Sequence, residues 1–290
     1  MISMRTPLRT TINIAKISLL LLVAALTSCN ALKRVEEDEV LVIKNTIYAD
    51  EEKVTDEDVE SLVIQEPNSA LLGYPLRLNL YNLAKVNPDS SFQAWLYRKE
   101  NRKQRLVNLL SEKQVERLGE SFLVKGLSEW LKNIGEAPVT LDTIATKRTL
   151  QRLSAYYSSK GYFNNKTTYE IDSSKRKQRV AVDYKIILGE PYLIDTVTHK
   201  IDSKVIDSIY LLNSQESFVK KGKQFNSLDF AIERERLTNV FKNSGVYNFQ
   251  ESSINFDILR DSSATGSSKE MDVRMTIGNL KKEMKIPRLQ

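Results

Sequence analysis

The sequence predicts an α+β fold of two tandem units, each with the order strand, helix, helix, strand, strand, and with a helical insertion in the first unit. Three observations support this prediction. A helical pattern from residue 142 to 161 is followed by two segments in which apolar and polar residues alternate, as in a helix packed on a β-hairpin. The same combination recurs after residue 222. Glycine ends the helical pattern in both copies, and a unit that occurs twice is better evidence than either copy alone.

The first copy of the repeat begins with a capped helix. Asp142 and Thr143 offer N-cap side chains, and Gly161 offers the left-handed residue that ends many helices. Its apolar face is formed by Leu150, Leu153 and Tyr157. We expect Tyr162 and Phe163 to open a strand that continues to Ile171. Alternation then predicts a second strand with four inward residues, namely Val180, Val182, Tyr184 and Ile186.

The second copy has the same parts. Asn226 or Ser227 caps a helix that Gly245 ends, and Tyr247 and Phe249 open the next strand. The helix carries Phe230, Leu237, Val240 and Phe241, and the two strands of its hairpin contain Ile254, Phe256, Ile258, Val273, Met275 and Ile277. Before this copy, a strand from Tyr192 to Ile201 and a helix over 203–212 complete the unit. Helical spacing predicts that this helix packs through Val205, Ile209 and Leu212.

The predicted boundaries follow from these elements. The first unit covers residues 39–190, starting with a strand at Val40–Asn45 and a short helix that Asp56 can cap. A helical insertion occupies about 66–134, where apolar residues recur at helical spacing around Trp95 and Trp130. The alternative is that these helices form a separate small domain. The second unit covers 191–279, and 280–290 form a C-terminal tail.

The first 28 residues have the composition of an export signal. They contain three basic residues and no acidic one, and then an apolar run from Ile17 to Leu26 that is too short for a comfortable transmembrane helix. Leu26 to Cys29 resemble the lipobox of bacterial lipoproteins, which implies cleavage before Cys29 and lipidation of that residue. The alternative is that Cys29 is a buried thiol in a signal helix. Residues 29–38 are charged and are predicted to be a tether.

Charge argues against a nucleic-acid-binding protein. Without the leader's three basic residues, the chain carries 40 Lys and Arg against 37 Asp and Glu. Positive and negative residues are interspersed, whereas a nucleic-acid footprint needs a concentrated basic face. The sequence therefore predicts no nucleic-acid partner.

The order of elements resembles the POTRA (polypeptide-transport-associated) domains of BamA and TamA type outer-membrane assembly factors. The residues that carry the resemblance are Gly161-Tyr162-Phe163 after the second helix, Leu188 to Tyr192 after the last strand, and Ser244 to Tyr247 in the second copy. With the lipobox, the chain resembles the lipoprotein variant of the translocation and assembly module. It departs from the family in two respects: the sequence stops at Gln290 without a membrane β-barrel, and the first unit carries about seventy extra residues.

The resemblance implies where an unfolded client would bind. In POTRA folds the first strand of the hairpin commonly lies at the sheet edge, which implies binding at residues 166–172 and 252–257. The candidate residues are Lys166, Thr168, Glu170, Ser252, Ile254 and Phe256. An extended client would add to the edge through backbone hydrogen bonds. The alternative is that a neighbouring part of the protein caps each edge.

The sequence contains little that suggests an enzyme. His199 is the only histidine and Cys29 the only cysteine, so a His/Cys metal site has no second ligand, and we interpret His199 as a strand residue. Neither a nucleophile motif nor a phosphate-binding loop is present, so we expect no catalytic residues and no cofactor. Glu233 to Arg236 is interpreted as a solvated helix face, with the alternative that Glu235 or Arg236 orders a neighbouring loop.

Two functional hypotheses remain. The first is an outer-membrane, lipid-anchored periplasmic protein that receives unfolded outer-membrane polypeptides, with a membrane β-barrel or an inner-membrane translocation partner as further partners. The second is a lipid-anchored envelope adaptor that binds a folded partner or the cell wall through the helical insertion.

Overall fold

The computed structural model describes residues 31–99, 101–121, 125–173, 177–260 and 269–278. The predicted leader, Cys29 and the predicted C-terminal tail lie outside these residues. Within them, no helix is long and apolar enough to cross a membrane. The chain divides into two compact units. The first consists of residues up to 45 together with 65–146 and 171–182. The second consists of 46–64, 147–170 and the residues from 183 onwards. The boundary after residue 190 stays a prediction.

The first sheet has four strands in the order β2-β1-β4-β3. They are β1 (Leu41–Ala49), β2 (Glu52–Lys53), β3 (Lys166–Ser173) and β4 (Arg179–Ile187). A tight turn at Asp50 and Glu51, both with positive φ, joins β1 to β2. The sequence predicted only the first half of β1 and missed β2, since two exposed residues carry no alternation. The inward residues of β4 are the four predicted ones, and all are buried.

The segment between β2 and β3 contains helices, as predicted for the insertion. A single-turn helix, α1 (Glu57–Glu60), begins at Asp56, whose side chain accepts from the backbone N–H of Asp58. In the part of the insertion that the structure describes, the helices are α2 (Leu76–Leu83), α3 (Pro88–Tyr97), α4 (Arg102–Leu109), α5 (Glu112–Gly119) and α6 (Leu127–Ile134). Phe92, Leu96 and Val115 form a small core between α3 and α5.

Residues 31–35 of the predicted tether are packed, whereas Glu36, Glu37 and Asp38 are exposed. Ala31 is buried together with Leu41 and Leu78, and Leu32 and Val35 pack against this cluster. The apolar side chains of residues 31–35 pack inward, and the long basic side chains of Lys33 and Arg34 reach backbone carbonyls. Charge alone was therefore a poor indicator of a free tether.

The helix α7 (Thr143–Ser159) has both predicted ends. Asp142 accepts a hydrogen bond from the backbone N–H of Ile144, and Gly161 has a φ of +99°. Leu153 and Tyr157 are buried as predicted. The prediction that Tyr162 opens the next strand is wrong, because residues 162–165 form a turn and β3 begins at Lys166.

The second sheet has three strands in the order β5-β7-β6. They are β5 (Leu193–Ile201), β6 (Ile254–Arg260) and β7 (Glu270–Ile277), with β5 parallel and β6 antiparallel to β7. Two helices, α8 (Lys204–Asn213) and α9 (Ser227–Asn243), separate β5 from β6 in the chain. This region therefore has the predicted order strand, helix, helix, strand, strand.

Both helices pack on one face of this sheet. Ile206 and Tyr210 of α8 and Leu237 and Phe241 of α9 share a core with Met275 and Ile277 of β7, among other residues. The predicted face of α8 is wrong: Val205 and Leu212 are exposed, and Ile209 is only partly buried. The helix carries two overlapping apolar stripes, and the one that contains the large Tyr210 ring is buried.

The prediction of a solvated face at Glu233 to Arg236 is also wrong. Glu233 is 1% exposed, and its carboxylate accepts from Arg236 at 2.7 and 3.0 Å and from the backbone N–H of Phe218 at 3.0 Å. Arg236 also donates to the carbonyl oxygen of Asn213, and the hydrogen bond to Glu233 raises the pKa of its guanidinium. The pair holds the loop between α8 and α9, the role foreseen as the alternative for Arg236.

Candidate client-binding edges

The structure places β3 at one end of the first sheet. Lys166, Thr168 and Glu170 lie on this strand with exposed side chains, and the intervening Thr167 and Tyr169 are half-buried. With eight residues, β3 offers about 26 Å of edge for pairing. Three of the predicted site residues therefore lie together on one exposed face of an edge strand.

An open groove lies over the neighbouring strands and reaches β3 at Thr168. Its volume is about 750 Å³, and its lining includes Thr168 of β3 together with residues of β1, the following turn and β4: Tyr48, Asp50, Glu51, Asp183, Lys185, Ile186 and Ile187. Lys185 donates to Glu170 across β4 and β3 at 2.6 Å, which raises the pKa of the Lys185 ammonium. With Lys185 paired, Asp50, Glu51 and Asp183 give the groove acidic character. Sequence analysis missed the groove, because it depends on the β1–β2 turn.

β6 is the corresponding end strand of the second sheet. The structure separates the three predicted residues: Ser252 lies in a short 3₁₀ turn before the strand, Ile254 is 2% exposed, and Phe256 is half-buried. The Phe256 ring packs edge-to-face on Phe230 at 5.2 Å, below Arg234 at 5.3 Å. Ile254 and Phe256 thus belong to the core, and only their backbone is relevant to an edge interaction.

The exposed side chains of β6 are different residues. Asn255 and Asp257 point away from the core, and Ile258 and Leu259 are also exposed. Alternation could have indicated Asn255, Asp257 and Leu259, because the same pattern that identifies Ile254 and Phe256 as inward residues places their neighbours outward. It does not account for Ile258, which lies on the inward face and is nevertheless exposed. The two edges differ in degree: β3 exposes one large apolar side chain, Ile171, among polar ones, whereas the end of β6 exposes two.

His199 lies in β5, as interpreted from the sequence. Its Nε2 is 3.2 Å from the carboxylate of Asp207, and its ring lies 4.7 Å from that of Tyr210. In the described part of the chain, no three His, Cys, Asp or Glu side chains are grouped so that they could hold a metal ion.

Comparisons with known proteins give only distant likenesses. No protein-family model matches the chain, and no curated protein matches it. Among solved structures, POTRA domains 3–5 of BamA from Haemophilus influenzae match with 11% identity and a TM-score of 0.28, covering 85% of this chain and 100% of that one. POTRA domains 1–2 of the periplasmic domain of Omp85 from Anabaena match with 10% identity and a TM-score of 0.28, covering 84% and 99%.

A third match is BamA from Haemophilus ducreyi lacking POTRA domains 1–3, with 10% identity and a TM-score of 0.31. The match covers 50% of this chain and spans a quarter of that one. TM-scores this low do not assign the chain to a family.

Proposed function

We propose that the protein is a lipid-anchored periplasmic POTRA-domain protein that assists outer-membrane protein assembly or translocation by binding unfolded clients at its sheet edges. The observation that carries the proposal is the strand order. In both sheets, the first strand of the last hairpin lies at the end of the order, as β3 and β6 do. An edge strand presents backbone donors and acceptors to any extended chain, so the backbone pairing itself does not depend on the client's sequence.

The β3 edge is the better candidate of the two. Apart from Ile171 its exposed residues are polar, and a lysine such as Lys166 on an edge limits pairing with another copy while leaving the backbone groups accessible. A client strand paired with β3 would project alternate side chains toward the acidic groove. Backbone pairing then supplies affinity, and the groove favours client segments with basic residues.

Photocrosslinking tests this assignment. A photoreactive amino acid at Thr168 or Glu170 is expected to capture unfolded outer-membrane protein, whereas the same amino acid at Ala231, an exposed position of α9, is not. Equal capture at all three positions would show that the contact is not made by the edge.

The anchor is a separate part of the proposal. Cys29, at the end of a leader that resembles a lipoprotein signal, would become the lipidated N-terminus and hold the protein at the outer membrane, facing the periplasm. Metabolic labelling with a clickable fatty acid should mark the wild type and leave Cys29→Ala unlabelled. Equal labelling of both proteins would refute the anchor.

A second candidate function is an envelope adaptor that binds a folded partner or the cell wall. The observation in its favour is the exposure of Trp95 and Tyr97 on α3, since aromatic residues are enriched in protein interfaces. A photoreactive residue at Tyr97 that captures one folded protein, with no capture at Thr168, would favour this function over client binding. A membrane β-barrel or an inner-membrane translocation partner would be identified in the same way.

A further inference from the structure

A pocket of about 440 Å³ lies within the first compact unit. Its walls include the start of β1, the loop before α2, the first turn of α2 and the first residue of β4. Most of its lining residues are apolar, and they include Leu41 and Ile43 of β1 and Leu78 of α2. At about 30 Å³ for a water-sized group, the pocket holds about fifteen such groups, a size typical of sites for small organic molecules.

A strained turn forms one side of the pocket. Leu71 and Tyr74 exchange two backbone hydrogen bonds of 2.9 Å, and Leu72 and Gly73 between them have positive φ, 50° and 79°. Gly73 and Tyr74 line the pocket. Leucine rarely adopts a positive φ, and strained residues of this kind cluster at ligand sites. Leu71 is 67% exposed and Leu72 is fully exposed, so the turn holds two apolar side chains in solvent next to the pocket.

Arg179 is the only charged residue among the described residues that line the pocket. It is half-buried at the start of β4, and within the described part of the chain no carboxylate pairs with its guanidinium. Glu36 and Glu37 lie near it, because Gln178 donates to their carbonyl oxygens at 2.9 and 3.3 Å, but their side chains are exposed and do not line the pocket. The pocket wall therefore carries one unpaired positive charge, which favours an anionic ligand.

Backbone groups of the β1 wall and of the strained turn are already paired. The N–H of Leu41 donates to the carbonyl oxygen of Gln178, and that of Val42 to the carbonyl oxygen of Val139, both at 2.9 Å. The strained turn is closed by its own two hydrogen bonds. An extended peptide needs free backbone donors and acceptors, as an edge strand offers them. These walls therefore suit a small molecule held by side chains better than they suit a peptide.

We propose that this pocket binds a small aliphatic carboxylate of about the size of dodecanoate. The aliphatic chain packs against Leu41, Ile43 and Leu78, and the carboxylate accepts hydrogen bonds from Arg179. The pocket shares no lining residue with the groove that reaches β3, and its ligand requires neither client binding nor the lipid anchor. The helical insertion then has a binding role of its own, because its first helix forms a wall of the pocket.

Calorimetric titration tests the proposal. The full chain carrying Cys29→Ala, so that no attached lipid competes for the pocket, is titrated with dodecanoate below its micelle concentration. We expect one molecule bound per chain. Arg179→Gln should weaken binding about tenfold, whereas Arg179→Lys and the exposed control Arg152→Gln should keep the affinity within about threefold. Dodecanol, which has the same chain without a charge, should bind about tenfold less tightly than dodecanoate.

A further substitution locates the site. Ala70 is exposed and lines the pocket, so Ala70→Trp should fill the opening and abolish binding at an unchanged melting temperature. If that variant does not fold, Ile43→Asp, at a lining residue that is 43% exposed, places a negative charge near the carboxylate and should have the same effect. Absence of dodecanoate binding, equal binding of dodecanol, or full affinity in Arg179→Gln would overturn the proposal. Binding that persists in the folded pocket variant would overturn it as well.

Discussion

The helices α7 and α9 are corresponding elements of the two copies of the repeat. At an offset of 84 residues, Asp142 corresponds to Asn226, and both side chains accept from the backbone N–H two residues later. Each helix ends at a glycine with a φ of +99°. Each also buries a leucine completely, Leu153 in α7 and Leu237 in α9.

The difference lies in the acceptor that each helix offers to the loop before it. In α7 the hydroxyl of Thr149 accepts from the backbone N–H of Ile64 at 3.1 Å. In α9 the corresponding residue is Glu233, which accepts from the backbone N–H of Phe218. A buried carboxylate needs a positive partner, so Arg236 folds onto Glu233, whereas Arg152 at the corresponding position of α7 remains exposed. The two helices therefore place an acceptor at the same position, but in α7 it is a neutral hydroxyl and in α9 it is a carboxylate with a counter-ion.

The largest effect is expected from removing the acceptor in α9. Glu233→Ala leaves Arg236 without its main partner and the N–H of Phe218 unpaired, so the free energy of unfolding should fall by about 3 kcal/mol. Thr149→Val removes a neutral hydroxyl, with its hydrogen bond to Ile64, and should cost about 1.5 kcal/mol. Urea denaturation measures both.

The two arginines provide the control for this difference. Arg236→Ala should destabilise strongly, and Arg152→Ala should change the free energy of unfolding by less than about 0.5 kcal/mol. Similar values for the two arginine variants would contradict the view that only the carboxylate requires a counter-ion.

The terminal glycines should also differ. An added Cβ at Gly161 would lie 2.8 Å from the carbonyl oxygen of Phe225, whereas at Gly245 it would meet nothing within 4 Å. Gly245→Ala should lower the free energy of unfolding by about 1 kcal/mol, because alanine is strained in the left-handed conformation. Gly161→Ala adds the close contact to this strain and should lower it by about 2 to 3 kcal/mol. Equal losses in denaturation experiments would show that the contact with Phe225 relaxes freely.

The smallest effect is expected at the N-caps, where the two helices are alike. Asp142→Ala and Asn226→Ala should each lower the free energy of unfolding by about 1 kcal/mol. A difference between them larger than about 1 kcal/mol would mean that one cap does more than satisfy a helix N–H.

Local signals explain which parts of the fold were predictable. Caps, terminal glycines and alternation in β4 and β7 depend on neighbouring residues, and they located α7, α9 and the hairpins. The buried face of α8 was not predictable, because Val205 and Ile206 are equally apolar and only the sheet decides between them. The Glu233–Arg236 pair was missed for a related reason: i, i+3 charges normally indicate a solvated face, and burial became evident only with the loop in place.

The candidate site was predictable to a similar extent. The hairpin pattern and the POTRA resemblance led to β3 and β6, and the structure places both strands at sheet ends. They did not indicate that Ser252 precedes its strand or that the β1–β2 turn forms a groove beside Thr168. Both features depend on how separate segments meet, which one stretch of sequence does not encode.

Proline substitution in β3 is the most direct test of client binding. Adjacent residues of a strand direct their N–H groups to opposite sides, so of Thr167→Pro and Thr168→Pro one removes a donor that faces β4 and the other a donor at the free edge. We predict that the variant with the wild-type melting temperature captures unfolded outer-membrane protein about tenfold less well than wild type, because proline also blocks close pairing there. Undiminished capture by every variant that folds would contradict binding at the β3 edge.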